Sequence, residues 1–204
     1  HPEAATKALK GFIYDPSPEV RIEAARAFGY LKKDGLVLIQ KALLDPNLEA
    51  QRAALDSAVL LAAVHPYPVS EALGRAFLNG RPAIRRSITE ALSRIGRDRP
   101  AAVLAPLARI IKQGDAPSRA LATTSICGIA LKNPEATLPY LRIAARDDDR
   151  EVRTAAAACL GSLAVADPKG TARIASELAD ANEPGVRAAA ATALGQLAAS
   201  ARDL

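Results

Sequence analysis

Arginine is the residue type with the most obvious chemical potential in this sequence, and it is unevenly distributed. Six arginines lie between residues 81 and 99, where Glu90 and Asp98 are the only acids. A guanidinium group presents several N–H donors in one plane and can bind both oxygens of a carboxylate or phosphate. With a formal net charge of +5, the cluster predicts recognition of an anionic partner.

Other reactive residue types are scarce. His1 and His65 are the only histidines, and His65 lies in an HPYP segment typical of a turn, so no histidine-based metal site is expected. The sequence contains no glycine-rich phosphate loop and no nucleophile motif. An aromatic content of 3% without tryptophan argues against a large aromatic ligand pocket. We therefore predict a protein that is not an enzyme and that needs no cofactor or metal.

A repeated segment carries many of the arginines. One clear copy is EVRTAAAACLGSL at residues 151–163, and the pattern recurs as EVRIEAARAFGYL from Glu19 and GVRAAAATALGQL from Gly185. Successive copies begin 30 or 34 residues apart, and a fixed period of this length is typical of stacked helical hairpins. The first motif positions of the six copies are Val20, Ala50, Ile84, Ser118, Val152 and Val186.

Each motif is predicted to be the second helix, B, of a hairpin whose first helix, A, precedes it. Prolines such as Pro66 and Pro134 open most A helices, which suits the first helical position. The second unit is four residues shorter and opens with Asp34-Gly35, so the least regular packing is expected there. Polar turn residues are predicted to cap the B helices. These N-caps are Ser17, Asn47, Asp115 and Asp149.

Helix B is predicted to bury its first, fifth, ninth and twelfth motif positions, which share one face. One hairpin cannot cover this stripe, so neighbouring hairpins must stack on it. The stripe is Val20, Ala24, Phe28 and Leu31 in the first unit and Val152, Ala156, Leu160 and Leu163 in the fifth. The predicted core of helix A is Leu9, Phe12 and Ile13 in the first unit and Leu107, Ile110 and Ile111 in the fourth.

These patterns predict an all-α protein, an α-solenoid superhelix of about six stacked helical hairpins that occupies residues 1–204 as a single array. The chain contains no methionine, and the residues after Leu197 are too few for a capping helix, so we expect a segment of a longer protein. No apolar run approaches the roughly 18 residues that span a bilayer, and no membrane insertion is predicted.

The two cysteines, Cys127 and Cys159, lie at different motif positions of neighbouring repeats. Equivalent points on stacked helices are about 8–10 Å apart, which exceeds the Cα separation of a disulfide. We therefore expect two small buried free thiols without a metal or redox role. Free thiols slightly favour a reducing compartment, and a cytoplasmic location is predicted.

The motif VRxAAxxALGxL, with an acid six residues before its arginine, resembles the HEAT repeat, in particular the alanine-rich form of bacterial HEAT-like proteins that include relatives of phycobilisome lyases. The resemblance implies a ladder in which the turn acid and the helix B arginine link adjacent units. Four departures, Gln51, Asn79, Gln113 and Ala181, are expected to interrupt it. The matching residues are Asp15, Asp45 and Asp147 with Arg21, Arg85, Arg119, Arg153 and Arg187.

The B helices usually line the concave surface in this family, so their outward positions are the candidate site. These positions are charged in the first three units and mostly small in the last three. We predict that the charged positions bind an acidic segment of a protein partner. The alternative is a solvated helix face on which Glu90 pairs with Arg86 and Arg94. The candidate partner-binding residues are Arg26, Tyr30, Arg52, Arg86, Glu90, Arg94 and Arg97.

Three functions remain open at this point. The favoured one is a non-enzymatic protein-interaction scaffold, because an extended repeat array offers a large surface and no convergent chemistry. Nucleic-acid binding has a precedent in HEAT-like DNA glycosylases, but setting aside the ladder residues leaves 22 basic against 19 acidic residues from totals of 27 and 22. A bilin lyase-like accessory role rests on the family resemblance alone. The histidine–glutamate pairs of deoxyhypusine hydroxylase, a HEAT-like metal enzyme, are absent.

Overall fold

The computed structural model of this chain describes residues 2–200. Within that range it contains twelve α-helices, one short 3-10 helix at Phe28–Tyr30 and no strand. The prediction of an all-α solenoid of six hairpins is confirmed, with odd-numbered helices as A and even-numbered helices as B. The helices are α1 Pro2–Phe12, α2 Pro18–Ala27, α3 Lys32–Ala42, α4 Leu48–Ala62, α5 Pro66–Asn79, α6 Pro82–Asp98, α7 Pro100–Gln113, α8 Ala116–Ala130, α9 Pro134–Ala144, α10 Arg150–Leu163, α11 Pro168–Ala179 and α12 Pro184–Ser200.

The chain divides into two compact units, His1–Pro106 and Leu107–Leu204. In the first unit the B helices α2, α4 and α6 pack in order, and in the second unit α8, α10 and α12 do the same. Successive B helices lie side by side because the small motif residues, mostly alanine, allow their backbones to approach closely. Among residues 2–200 no helix combines the length and apolar character that crossing a bilayer requires.

The predicted N-caps of the B helices are confirmed. Asn47 accepts hydrogen bonds from the backbone N–H groups of Glu49 and Ala50, and Asp149 accepts them from Glu151 and Val152. Each such bond satisfies an N–H that the first helical turn leaves unpaired. Side-chain caps of the same kind begin α2 at Ser17, α8 at Asp115, α9 at Asn133 and α11 at Asp167.

The predicted core is confirmed in most positions. All four stripe residues of the fifth unit are 0% exposed, and Leu107, Ile110 and Ile111 are also buried. In the first unit, however, Val20 and Leu31 are half-buried, and the prediction for Phe12 is wrong because 45% of it is exposed. Helix α1 packs against α2, but this packing does not bury Phe12.

The irregular junction lies in the shortened second unit, as predicted, but the helix does not open at Asp34. Helix α2 ends at Ala27, the 3-10 helix follows, and α3 begins at Lys32, so Asp34 and Gly35 lie inside the first turn of α3. A Cβ atom at Gly35 would be 2.1 Å from the carbonyl oxygen of Phe28. The backbones at Phe28 and Gly35 therefore lie so close together in this shortened unit that only a residue without a Cβ atom fits at position 35.

Candidate functional site

The turn between helices A and B holds an arginine ladder that links adjacent repeats. Arg21 donates from Nη1 to the carbonyl oxygen of Asp15 in its own repeat at 2.7 Å, and from Nε to Oδ2 of Asp45 in the next repeat at 2.7 Å. Arg119 repeats this arrangement with the carbonyl of Gly114 at 2.9 Å and with Asp147. One planar guanidinium thus binds a carbonyl of its own turn through Nη1 and the acid of the neighbouring repeat through its Nε edge.

The ladder acids are held in the charged form. Burial alone would raise the pKa of Asp45, but hydrogen bonds from Arg21 and from the backbone N–H of Asn47 outweigh it, and the pKa is lowered. The pKa of Asp147 is lowered in the same way by Arg119 and by the N–H of Asp149. Both acids therefore contribute to stability as carboxylates.

The ladder is interrupted where the sequence departs from the motif. Gln51 replaces an arginine, and its Nε2 still donates to the carbonyl of Asp45 at 2.6 Å, but its Oε1 has no partner. Arg153 donates from Nη1 to the carbonyls of Asp147 and Asp148 at 2.7 and 2.8 Å. Within residues 2–200 its Nε and Nη2 have no acidic partner, because Ala181 occupies the position of the ladder acid in the next turn. The expected break in the ladder is confirmed at these points.

The sequence-predicted binding residues all lie on the outer faces of α2, α4, α6 and the 3-10 helix, within the first unit. Tyr30 is 75% exposed, and the side chains of Arg26, Arg52 and Arg86 are 60%, 65% and 76% exposed. Glu90, Arg94 and Arg97 are exposed as well. We call this set of seven residues the arginine face.

Most guanidinium groups of the arginine face already have a carboxylate partner. Arg86 pairs with Glu90 at 3.0 Å on the same helix, as the solvated-face alternative predicted. The predicted Glu90–Arg94 pair does not form, since Nη1 of Arg94 lies 2.6 Å from Oδ1 of Asp56 on α4. The partner of Arg94 is thus on the neighbouring helix α4, and residue spacing along α6 could not predict it.

Two further pairs occupy the earlier helices. Arg26 pairs with Glu23 on α2, and Nη1 of Arg52 lies 3.8 Å from Oε1 of Glu49 on α4. All four pairs are solvent-exposed, and such pairs contribute about 0–1 kcal/mol each. They therefore leave the arginines available for a competing carboxylate.

Arg97 lies at a cleft of about 490 Å³ between the carboxyl ends of α4 and α6. The cleft has an apolar wall that includes Val59, and Arg94 and Arg99 share its rim with Asp98. Nη2 of Arg99 donates to the carbonyl oxygen of Ala63 at 3.3 Å. Arg99 ends the arginine cluster seen in the sequence but is not among the predicted binding residues, and it lies between α6 and α7.

The prediction of free thiols is wrong, because Cys127 and Cys159 form a disulfide between α8 and α10 with a Cα separation of 5.4 Å. The 8–10 Å spacing applies to equivalent points, whereas Cys127 occupies the tenth motif position and Cys159 the eighth. In the first unit the same two positions, Gly29 and Ser57, also meet, with the carbonyl of Ser57 2.8 Å from a Cβ built on Gly29. The two sulfurs meet because the tenth motif position of one B helix lies next to the eighth motif position of the following B helix.

Metal ligands are not assembled anywhere in the described part of the chain. Residues 2–200 contain no group of three or more His, Cys, Asp or Glu side chains placed to hold a metal ion. His65 stands before α5 and makes no side-chain cap to it.

Comparison with known families identifies the repeats of the second half. Residues 105–195 match the family model described as HEAT repeats, which confirms the resemblance seen in the motif. No curated protein matches the sequence.

Solved structures of helical repeat proteins resemble the fold. A structure titled for Crescerin, which uses a TOG domain array to regulate microtubules in the primary cilium, has a TM-score of 0.64 at 20% identity over 94% of this chain and 88% of its own. A designed armadillo repeat protein gives 0.51 at 18% identity over 96% and 99%. Another, in complex with the peptide (KR)4, gives 0.53 at 17% identity over 96% and 98%. At these identities the likeness concerns the fold alone.

Proposed function

Because residues 105–195 match the HEAT repeat model and the preceding residues 2–104 form the same kind of hairpin, we propose that this protein is a non-enzymatic scaffold that binds a protein partner. The partner-binding surface is the arginine face, and the partner presents an acidic segment. The observation that carries the proposal is the alignment of exposed arginines on three consecutive B helices, α2, α4 and α6. Residues 1–204 act as one array.

The exposed ion pairs support exchange with a partner. Arg94 spans from α6 to Asp56 on α4, so a partner carboxylate placed between these helices can replace Asp56 without unfolding either helix. An exposed pair contributes little because water already solvates both charges. A partner that removes water from the arginines strengthens the new pairs relative to the old ones.

The solved structures of similar fold support a protein partner over a small molecule. One designed armadillo protein holds a peptide of alternating basic residues, and the TOG array regulates microtubules. The arginine face carries the opposite charge to a surface that accepts a basic peptide, so its partner is acidic. Tyr30 adds an exposed aromatic ring of the kind enriched where interfaces are strongest.

Replacing Arg86, Arg94 and Arg97 together by serine tests this surface. The array is used as bait, captured proteins are identified by mass spectrometry, and the affinity of each captured partner for both forms is measured. We expect the triple variant to weaken binding at least tenfold, since each desolvated charge-assisted hydrogen bond contributes about 1.5–3 kcal/mol.

The matched control removes three exposed arginines from the second unit, Arg142, Arg146 and Arg173. It makes the same change in net charge and should leave binding intact. If partners bind the Arg86/Arg94/Arg97 variant as tightly as the native chain, the arginine face is not the binding surface.

The alternative functions have direct tests. Duplex DNA binding that falls steeply with salt would support a nucleic-acid module, whereas absence of binding at low salt removes that alternative. Mixing with bilin and an acceptor protein without a colour change removes the lyase-like role. A cytoplasmic location stays a prediction, and the Cys127–Cys159 disulfide counts against it because disulfides persist mainly in oxidising compartments.

A further inference from the structure

Arg153 uses only half of its hydrogen-bonding capacity. Its Nη1 donates to the carbonyl oxygens of Asp147 and Asp148, and the side chain is half-buried at the start of α10. Among the residues that the structure describes, Nε and Nη2 have no partner. Neither nitrogen is among the buried polar atoms that lack a partner, so this edge is accessible to water or to an external acceptor.

The preceding repeat shows what this edge binds when the ladder is complete. Nε and Nη2 of Arg119 donate to Oδ2 and Oδ1 of Asp147 at 2.7 and 2.6 Å. The turn after Arg153 has the same backbone arrangement, because Arg187 donates to the carbonyl of Ala181 at 2.8 Å just as Arg153 donates to that of Asp147. Only the carboxylate is missing.

A second acid is also lost beside Arg153. Gly185 occupies the motif position that Glu151 holds one repeat earlier, and a Cβ atom at Gly185 would lie 2.4 Å from Nη2 of Arg153. The guanidinium thus lies directly on the backbone of α12, where a side chain would displace it. Two nearby acids are engaged elsewhere, since Asp149 caps α10 and Asp148 pairs with Arg119.

Arg153 lines a groove of about 370 Å³ between α10 and α12, and its Nε–Nη2 edge borders the backbone of Gly185 there. Arg150 lies at the same end of the groove as Arg153, and no acidic residue lines it. Small residues such as Ala157 and Ala188 form its sides, which lets an extended main chain approach both helices closely. Charge and shape together therefore favour an acidic peptide.

We propose that the Nε–Nη2 edge of Arg153 is a carboxylate-binding site, filled by an Asp or Glu side chain of an acidic peptide segment that lies in the groove between α10 and α12. The bound carboxylate takes the place that Asp147 takes on Arg119. Arg150 adds a second positive charge at the same end. This site is separate from the arginine face and does not depend on its function.

Substituting Ala181 tests the site without removing Arg153. Ala181→Asp should complete the missing ladder pair, raise the melting temperature and close the site to an external carboxylate. The probe is a fluorescein-labelled octapeptide of alternating aspartate and serine, followed by fluorescence polarisation. We expect its affinity for Ala181→Asp to fall at least tenfold, as for loss of a charge-assisted bidentate pair.

Two controls separate the ladder pair from other effects. Ala181→Asn has nearly the same shape without the charge, and Asn182→Asp adds the same charge one residue later, so both should bind the peptide within about threefold of the native chain. All affinities are also measured with Arg86, Arg94 and Arg97 replaced by serine. This background removes the arginine face, so failure of one site is distinguishable from failure of the other.

The proposal is overturned if the native chain does not bind the peptide at millimolar concentration. It is equally overturned if Ala181→Asp binds the peptide as tightly as the native chain does, whether or not the melting temperature rises.

Discussion

Arg119 and Asp147 join two adjacent repeats through two parallel hydrogen bonds, Nε to Oδ2 at 2.7 Å and Nη2 to Oδ1 at 2.6 Å. The side chains are only 18% and 7% exposed, and Asp147 also accepts a hydrogen bond from the N–H of Asp149. One carboxylate therefore organises its own turn and links it to α8 of the preceding repeat. Paired charges at this depth behave differently from the exposed pairs elsewhere on the chain.

The first prediction concerns this pair. Asp147→Asn keeps an oxygen for the N–H of Asp149 but removes the buried charge that Arg119 faces and leaves it only the exposed Asp148, so we expect the free energy of unfolding to fall by about 2–4 kcal/mol. Urea denaturation followed by circular dichroism measures the change. Arg86→Gln, which breaks an exposed pair with Glu90, should cost less than about 1 kcal/mol. Equal losses in both variants would contradict the distinction.

Acid sensitivity is the second prediction. The pKa values of Asp45 and Asp147 are lowered from the ordinary value of 3.8, so the unfolded chain binds protons that the folded chain does not. Stability is then complete above pH 3.8 and decreases as the pH falls through the folded-state values. Thermal unfolding should show this loss below about pH 4. The Asp147→Asn variant should have a shallower pH dependence, and an unchanged slope would contradict the assignment.

The third prediction concerns the disulfide, which closes a loop with a sequence separation of 32 residues. Replacing Cys127 and Cys159 by serine should lower the free energy of unfolding by roughly 2–4 kcal/mol, because the unfolded chain regains the entropy of an open loop. Urea denaturation with and without reductant measures the effect, and reductant should not affect the double variant. Titration of two free thiols in the untreated native chain would contradict the disulfide.

The fourth prediction compares two glycines at the same motif position. At Gly29 a Cβ atom would lie 2.8 Å from the carbonyl of Ser57, whereas at Gly195 it would meet nothing within 4 Å. Gly29→Ala should therefore destabilise the first unit by about 1–3 kcal/mol. Gly195→Ala should stabilise the chain by about 0.5–1 kcal/mol through helix propensity. Thermal unfolding of the two variants measures both, and shifts of the same sign would contradict the packing argument.

The sequence could predict the hairpins because their signals are local. A proline at the first helical position, a polar N-cap such as Asn47 or Asp149 and an apolar stripe such as that of the fifth unit each act within one or two helical turns. The period then required the hairpins to stack, because no single hairpin covers its own stripe. The sequence also predicted the interruptions of the ladder, since Gln51 lacks the guanidinium group and Ala181 lacks the carboxylate that the pairs require.

Partners across helices could not be predicted in the same way. The solvated-face alternative paired Arg94 with Glu90 along α6, but Arg94 pairs with Asp56 on α4. Asp56 is 38 residues away in the sequence, and helix packing brings its carboxylate to Arg94 in place of that of Glu90. The Phe12 prediction failed for a related reason, since a periodic apolar position is buried only if another helix covers it. The residues of the arginine face are exposed, but their ion pairs depend on the neighbouring helices.

By itself the sequence determined the helical hairpins, their caps, their number and the chemistry available on each face, because these depend on residues close together along the chain. The tertiary structure alone decided the distances between non-equivalent positions of adjacent helices. Those distances joined Cys127 to Cys159 and left one edge of Arg153 without a carboxylate partner. The physical reason is that side-by-side packing of alanine-rich helices offsets their motif positions by an amount that periodicity does not specify.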